Sequence, residues 1–161
     1  MARVLVVDDE ADIRGLVRLS LELDGHEVQE AVDGLDALLA LDTGAPDVVV
    51  LDVSMPRLDG WGVLARLKGS AALAAVPVVM LTALSGDMDK IRGGVEGAVR
   101  YVTKPFDPDV LRAEVRQVLA EPEPAQRRRA AQEAMERLAV LEKGDGAGAR
   151  APAPRPRLTR L

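Results

Sequence analysis

The sequence has no cysteine, a single histidine and only three aromatic side chains among its 161 residues. Without cysteine, disulfide cross-links, thiolate metal sites and cysteine nucleophiles are excluded, and one histidine excludes a metal site built from several imidazoles. Because 2% of the residues are aromatic and 48% are hydrophobic, the core must be aliphatic, and a nucleic-acid surface built on base stacking is not expected. No apolar run approaches the ~18 residues that span a membrane, so we expect a cytoplasmic protein without membrane contact.

The charge balance divides the chain near residue 121. Residues 1–120 carry 12 basic and 20 acidic side chains, whereas residues 121–161 carry 9 and 6, within a net charge of −5 for the whole chain. The second part opens on Glu-Pro-Glu-Pro and ends in Gly, Ala, Pro and Arg. We therefore predict one folded domain over 1–120 and a C-terminal extension over 121–161, with a helix at about 125–143 and a disordered tail over 144–161.

Apolar runs that alternate with amphipathic stretches predict a three-layer α/β domain. Runs 4–7, 48–51 and 76–81 are apolar on both faces, as are strands of a parallel sheet covered by helices, and runs 27–31 and 99–102 are more polar, as edge strands are. Between these strands, apolar residues recur at helical spacing and predict five helices. The predicted helices centre on 13–21, 35–39, 63–67, 88–95 and 110–118.

The residues at the ends of the predicted strands form an acidic constellation. They are Asp8 and Asp9 after the first strand, Asp52 at the third, Thr82 at the fourth and Lys104 after the fifth. Open parallel sheets bind ligands beyond the carboxyl ends of their strands, so these groups are expected to converge. One ammonium group cannot balance three carboxylates, because like charges about 4 Å apart repel by ~4 kcal/mol at an effective dielectric of about 20. The divalent ion Mg²⁺ can, and carboxylates, Mg²⁺, a hydroxyl and a lysine together suit phosphoryl transfer.

Four short motifs carry a resemblance to a known family. They are VVDDE at 6–10, LDVSMPRLDG at 51–60, LTA at 81–83 and YVTKPF at 101–106. In this order and at these intervals, they resemble the receiver domain of two-component response regulators. The resemblance covers about residues 1–120, and it implies a flavodoxin-like, doubly wound, five-stranded parallel sheet of order 2-1-3-4-5 with five helices.

The resemblance also implies a role for each acidic residue. Asp52 would be the phosphoacceptor, taking a phosphoryl group from a histidine kinase or a phosphotransfer protein. Mg²⁺ would be ligated by the carboxylates of Asp9 and Asp52 and the backbone carbonyl of Ser54, while Asp8 would act through water.

The remaining motif residues would bind the phosphoryl group and change conformation with it. Lys104 and Thr82 would bind phosphoryl oxygens, Thr82 by swinging toward them. Tyr101 would then rotate into the space that Thr82 leaves, and the peptide bond before Pro105 would be cis, as is common in the family.

Two positions are expected to set the lifetime of the phosphorylated form. Ser54 lies two residues after the acceptor, and Leu84 lies two residues after Thr82. A small residue and an apolar one cannot hold an attacking water as a carboxylate or an amide would. We therefore predict slower dephosphorylation than in fast chemotaxis-type receivers.

The leading interpretation is a single-domain response regulator that is not an enzyme, except that it catalyses its own phosphorylation and dephosphorylation. Its output would be a changed protein-interaction surface that binds a downstream protein target. The predicted C-terminal helix would pack on the domain, form a homodimer or bind a partner. Nucleic-acid binding is not expected. Three alternatives stay open. They are a haloacid-dehalogenase-like phosphatase (which wants an Asp where Ser54 stands), a phosphate-independent interaction scaffold, and the receiver part of a truncated transcriptional regulator.

Overall fold

A five-stranded parallel sheet forms the centre of the domain. The structure is a computed structural model that describes residues 1–83, 98–121 and 136–141. The strands are β1 (Arg3–Val7), β2 (Glu27–Ala31), β3 (Val48–Asp52), β4 (Val78–Thr82) and β5 (Ala98–Thr103). They pair in the order β2-β1-β3-β4-β5, and every pair is parallel. The predicted flavodoxin-like α/β fold and its 2-1-3-4-5 order are confirmed.

Four of the five predicted helices lie within the described residues. They are α1 (Ala11–Leu23), α2 (Gly34–Asp42), α3 (Gly60–Gly69) and α4 (Pro108–Ala120). The helix predicted around 88–95 lies outside the described residues, as do 122–135 of the predicted extension and the tail beyond residue 141.

The start of β4 differs from the prediction. The apolar run begins at residue 76, but the strand begins at Val78. Pro77 separates them, and proline has no N–H to donate to a sheet ladder. Its carbonyl still accepts a hydrogen bond from the Val49 amide at 3.0 Å, so Pro77 lies at the edge of the ladder without disrupting it.

The continuous apolar runs arise because both faces of the sheet are covered. Alternate strand residues point to opposite faces, so Val4 and Val6 join one hydrophobic cluster while Leu5 and Val7 join the other. The first cluster contains the apolar sides of α1 and α4, and the second contains those of α2 and α3. The strands therefore end together at one edge of the sheet, between two helical layers.

The described part of the C-terminal extension packs on the domain. Residues 136–141 are helical. Leu138 is 5% exposed and belongs to the same hydrophobic cluster as Tyr101 of β5, whereas Val140 is 68% exposed. These six residues thus contact the domain, while a homodimer and the binding of a partner stay predictions. Within the described ranges, no helix is long and apolar enough to cross a membrane.

Candidate functional site

Three polar side chains that sequence patterns singled out are buried together at the carboxyl edge of the sheet. Asp8 follows β1, Asp52 ends β3 and Thr82 ends β4, and these residues are 0%, 3% and 1% exposed. The register explains the convergence, because β1 pairs with β3 and Asp52 lies beside Leu81 of β4. Two acidic groups are therefore withdrawn from water at one point, which is unfavourable unless a cation compensates them.

Lys104 supplies that cation. Its Nζ lies 3.0 Å from Oδ2 of Asp8 and 3.3 Å from Oδ1 of Asp52. The backbone helps to place it, because the Lys104 amide donates to the carbonyl of Thr82 at 2.7 Å. The Lys104–Pro105 peptide bond is cis, as the resemblance implied. The ammonium group of Lys104 thus bridges the two buried carboxylates.

The charges of the site shift the pKa values of two of its members. Burial and the neighbouring charge of Asp8 raise the pKa of Asp52 to about 6, although Lys104 opposes the shift. Burial disfavours the charged form of Lys104, but the hydrogen bond to Asp8 and the charge of Asp52 outweigh it and raise the pKa of the lysine above its usual value. Lys104 therefore stays protonated while Asp52 titrates close to neutral pH.

The contacts of Asp52 are concentrated on one oxygen. Oδ1 receives the Lys104 ammonium at 3.3 Å and the Ser54 amide, also at 3.3 Å. Oδ2 has no hydrogen bond or ion pair to any residue that the structure describes. One oxygen is thus held by two donors, while the other is bound by no described residue and can face an electrophile; carboxylates act as nucleophiles of this kind.

Three carboxylates cluster in the turn after β1, and the carboxylate of Asp52 is not among them. Carboxylate oxygens of Asp8, Asp9 and Glu10 all lie within 4.8 Å of one another. Asp8 is buried and both of its oxygens are engaged, Oδ1 by the Glu10 amide at 2.9 Å and Oδ2 by Lys104. Asp9 and Glu10 are exposed. This all-oxygen donor set, partly open to water, fits Mg²⁺, which keeps several waters when it binds protein.

Sequence reasoning missed two features of this edge. Glu10 was not among the predicted metal ligands, although its position next to the two aspartates was a signal. Gly60 lies in the quoted motif but was given no role, yet a Cβ on Gly60 would lie 2.3 Å from the carbonyl oxygen of Asp52. Only glycine lets the start of α3 approach the end of β3 so closely, so Gly60 helps to set the position of Asp52.

Tyr101 is buried on β5 at some distance along the strand from Lys104. It is 9% exposed, and burial raises the pKa of its hydroxyl to about 12. The hydroxyl is buried without a hydrogen-bond partner among the described residues. Its predicted rotation stays a prediction, and Leu84, predicted to influence dephosphorylation, lies outside the described residues.

Comparison with known proteins places the chain in a family. The family model for the response regulator receiver domain matches residues 4–116. The DNA-binding dual master transcriptional regulator RpaA of Synechocystis sp. is 43% identical over 119 residues, which make up 74% of this chain and 49% of RpaA. The chain spans about half the length of the first relatives that it matches.

Solved structures agree with the family model. The receiver domain of the Francisella response regulator 1452 aligns with a TM-score of 0.69 and 34% identity, over 76% of this chain and 100% of that one. The chemotaxis response regulator CheY4 of Vibrio cholerae aligns with a TM-score of 0.68 and 34% identity, over 73% and 98%. Receiver domains typically bind Mg²⁺ at an acidic cluster and interact with histidine kinases. By its strand order, its motifs and these matches, the chain belongs to the response regulator receiver domain family of two-component signalling.

Proposed function

We propose that this protein is a phosphoacceptor switch whose acceptor is Asp52. The observation that carries the proposal is the asymmetry of that carboxylate, with Oδ1 held by Lys104 and the Ser54 amide and Oδ2 bound by no described residue. A carboxylate held in this way presents one oxygen to an incoming phosphorus atom. The raised pKa of Asp52, about 6, still leaves it mostly ionised at neutral pH, as a nucleophile must be.

The transfer is an in-line displacement at phosphorus. Oδ2 of Asp52 forms a bond to phosphorus while the bond from phosphorus to the nitrogen of a phosphohistidine breaks, and the departing imidazole takes up a proton. Lys104 and the hydroxyl of Thr82 bind phosphoryl oxygens as negative charge develops there. Lys104 already contacts Oδ1 of Asp52, so it needs little movement to reach an oxygen bound to phosphorus.

We assign the Mg²⁺ ligands to the carboxylates of Asp9 and Asp52 and the backbone carbonyl of Ser54. When bound, Mg²⁺ neutralises negative charge shared by the carboxylates and the phosphoryl oxygens. Asp8 acts through water, because Lys104 and the Glu10 amide already engage its two carboxylate oxygens. Exposed Glu10 borders the same site and is an additional acidic neighbour of the ion.

The protein acts on no other substrate under this proposal, so it is not an enzyme beyond its own phosphorylation and dephosphorylation. Phosphorylation adds about −1.5 to −2 charge at the buried sheet edge. We propose that Thr82 and Tyr101 pass this change to a surface that binds a protein target, with a histidine kinase or a phosphotransfer protein as the donor. Ser54 and Leu84 are proposed to prolong the phosphorylated state, because neither holds an attacking water.

The deciding experiment is incubation with acetyl phosphate and Mg²⁺, followed by intact-mass measurement. The wild-type protein should gain one phosphoryl group, Asp52→Asn should gain none, and removal of Mg²⁺ with a chelator should abolish the gain. Asp42→Asn, which changes an exposed aspartate at the end of α2, is the matched control and should behave as wild type. A wild-type protein that gains nothing would instead support the phosphate-independent scaffold.

The relatives favour a second candidate for the output. RpaA is named a DNA-binding transcriptional regulator, and this chain spans about half of such relatives. The alternative is therefore that this chain is the receiver part of a transcriptional regulator. The mass of the protein purified from its native cells distinguishes the two, because a species about twice the mass of this chain would support the transcriptional regulator.

A further inference from the structure

We propose that Arg14 is a positioning residue for the acidic turn, and that it holds the turn in the geometry that binds Mg²⁺. This inference rests on the proposed function and concerns a residue outside the family motifs quoted above. Arg14 lies in α1, one helical turn after Glu10, and its amide donates to the Glu10 carbonyl at 2.9 Å. Its side chain turns back over the carboxyl end of β1, where Nη1 donates to the backbone carbonyl of Asp8 at 2.8 Å.

A carboxylate of the edge strand anchors the guanidinium. Nε of Arg14 lies 3.3 Å from Oε1 of Glu30 in β2, and the Arg14 side chain is only 16% exposed. Glu30 pairs in register with Val6 of β1, just before Asp8. The guanidinium of Arg14 therefore lies between an ion pair to β2, in which Nε makes no hydrogen bond to a described residue, and a hydrogen bond to the turn.

Through these contacts, Asp8 is held at all three of its oxygens. Arg14 binds its carbonyl, the Glu10 amide binds Oδ1 and Lys104 binds Oδ2. The turn also carries the exposed carboxylates of Asp9 and Glu10, and like charges so close tend to separate when the backbone is free to move. The Arg14 guanidinium, bound to the backbone carbonyl of Asp8, opposes this separation. It does so without occupying a carboxylate oxygen that Mg²⁺ needs.

The chain offers a matched comparison one turn further along α1. Arg18 pairs with the other oxygen of Glu30 at 2.9 Å, yet its remaining hydrogen bond goes to Glu22 and not to the acidic turn. Its side chain is 46% exposed. Arg14→Gln and Arg18→Gln thus each remove one positive charge and one ion pair to Glu30, and only the first removes the contact to Asp8.

The test is a Mg²⁺ titration of the full chain. Binding is measured by calorimetry and by the fluorescence of Trp61, the single tryptophan, which comes directly after Gly60. Removing a residue that orients metal ligands weakens metal affinity by roughly 10- to 100-fold. We therefore expect Arg14→Gln to lower the Mg²⁺ affinity about tenfold or more. Arg14→Lys should lose some Mg²⁺ affinity because lysine cannot form both contacts, but less than Arg14→Gln because it keeps the positive charge. Arg18→Gln should bind Mg²⁺ as wild type does.

A second measurement separates positioning from general damage. The rate of phosphorylation by acetyl phosphate is measured at increasing Mg²⁺ concentration. For Arg14→Gln, the half-saturating Mg²⁺ concentration should rise by the same factor as the dissociation constant, while the maximal rate at saturation stays near wild type. A lowered maximal rate with unchanged Mg²⁺ affinity would overturn the inference, and so would equal losses in Arg14→Gln and Arg18→Gln.

The outcomes also separate this inference from the proposed function. If wild type binds Mg²⁺ and is phosphorylated on Asp52 while both Arg14 variants bind Mg²⁺ as wild type does, the positioning role falls and the function stands. If wild type neither binds Mg²⁺ nor accepts a phosphoryl group, both fall. Should Arg14→Gln fail to fold, Arg14→Lys carries the test, and wild-type affinity in that variant would then overturn the role.

Discussion

At the scale of the residue, the buried edge of the sheet carries more negative charge than one lysine can balance. Asp8 and Asp52 are almost completely withdrawn from water, and Lys104 contacts both. The excess of negative charge raises the pKa of Asp52, since burial and Asp8 disfavour its charged form more than Lys104 favours it. The protein thus stores an unfavourable charge at the position where we propose that a metal ion and a phosphoryl group bind.

This imbalance predicts that Asp52→Asn stabilises the metal-free protein at neutral pH. The pKa of Asp52 is about 6 in the fold, against an ordinary value of 3.8. Because the fold disfavours the charged form, wild type should be less stable than Asp52→Asn above pH 6. With ~1.4 kcal/mol for each pKa unit, the difference in free energy of unfolding should approach about 3 kcal/mol and disappear as the pH falls from about 6 to about 4.

Urea unfolding between about pH 4 and pH 8, in the presence of a chelator, measures this difference. Asp42→Asn is again the control, since Asp42 is exposed and its substitution should leave the pH dependence as in wild type. An advantage of Asp52→Asn that stayed constant over this pH range would show that the charge of Asp52 is not its cause.

At the scale of the element, the close contact between β3 and α3 positions the acceptor. The side chain of Asp59 caps α3 by accepting a hydrogen bond from the Gly62 amide at 2.8 Å. The Gly60 amide donates to the carbonyl of Val53 at 2.9 Å. These bonds hold the first turn of the helix against the residues that follow the strand, so a shift of α3 would be transmitted directly to Asp52.

We therefore predict that Gly60→Ala destabilises the protein and slows its phosphorylation. The added Cβ would lie 2.3 Å from the Asp52 carbonyl oxygen and 2.8 Å from the Cα of Val53, and backbone atoms cannot move aside cheaply. Overpacking of this kind typically costs about 1–3 kcal/mol. Urea unfolding and the rate of phosphorylation by acetyl phosphate and Mg²⁺ test both effects.

Gly69, at the other end of α3, is the matched control. A Cβ there would meet no atom within 4 Å. Gly69→Ala should therefore leave the rate of phosphorylation unchanged and increase stability by up to ~1 kcal/mol, because alanine favours the helix. Equal behaviour of the two alanine variants would mean that the approach of α3 to Asp52 does not constrain the site.

At the scale of the whole molecule, the C-terminal extension touches the same cluster as a predicted switch residue. Leu138 is buried in the cluster that contains Tyr101, and Leu138 and Tyr101 also line a cavity of about 290 Å³ between β5, α4 and residues 136–141. Helices in proteins are stabilised mainly by packing of an apolar face, so we expect the contact of Leu138 with the domain to stabilise the helical form of residues 136–141.

Leu138→Ala should release this segment from the domain. Burying a leucine side chain contributes about 1.5–3 kcal/mol, and Leu138 is the buried residue of this segment. We expect amide hydrogen exchange of residues 138–141 to accelerate at least tenfold, while exchange in β1 and β3 stays slow. Val140→Ala, which alters an exposed neighbour, should leave exchange close to wild type. Unchanged exchange in Leu138→Ala would contradict the docking.

Much of the fold and of the site was predictable from the sequence, because both depend on local pattern. Continuous apolar runs arise in a parallel sheet that is covered on both faces. Apolar residues recur at helical spacing where a helix buries one face. Because carboxyl ends of parallel strands meet at one edge, the positions of Asp8, Asp52, Thr82 and Lys104 at strand ends were enough to predict that they converge. The resemblance then implied the strand order and the cis bond before Pro105.

Other features depend on distances between residues far apart in the chain, and only the tertiary structure decided them. The bridge from Lys104 to Asp8 and the unequal contacts of the two oxygens of Asp52 depend on how side chains pack at the edge. The grip of Arg14 on the Asp8 carbonyl requires Glu30 from another strand, and the burial of Leu138 requires the face of β5. Local pattern determines which residues reach the site, whereas three-dimensional packing determines which oxygen each of them binds.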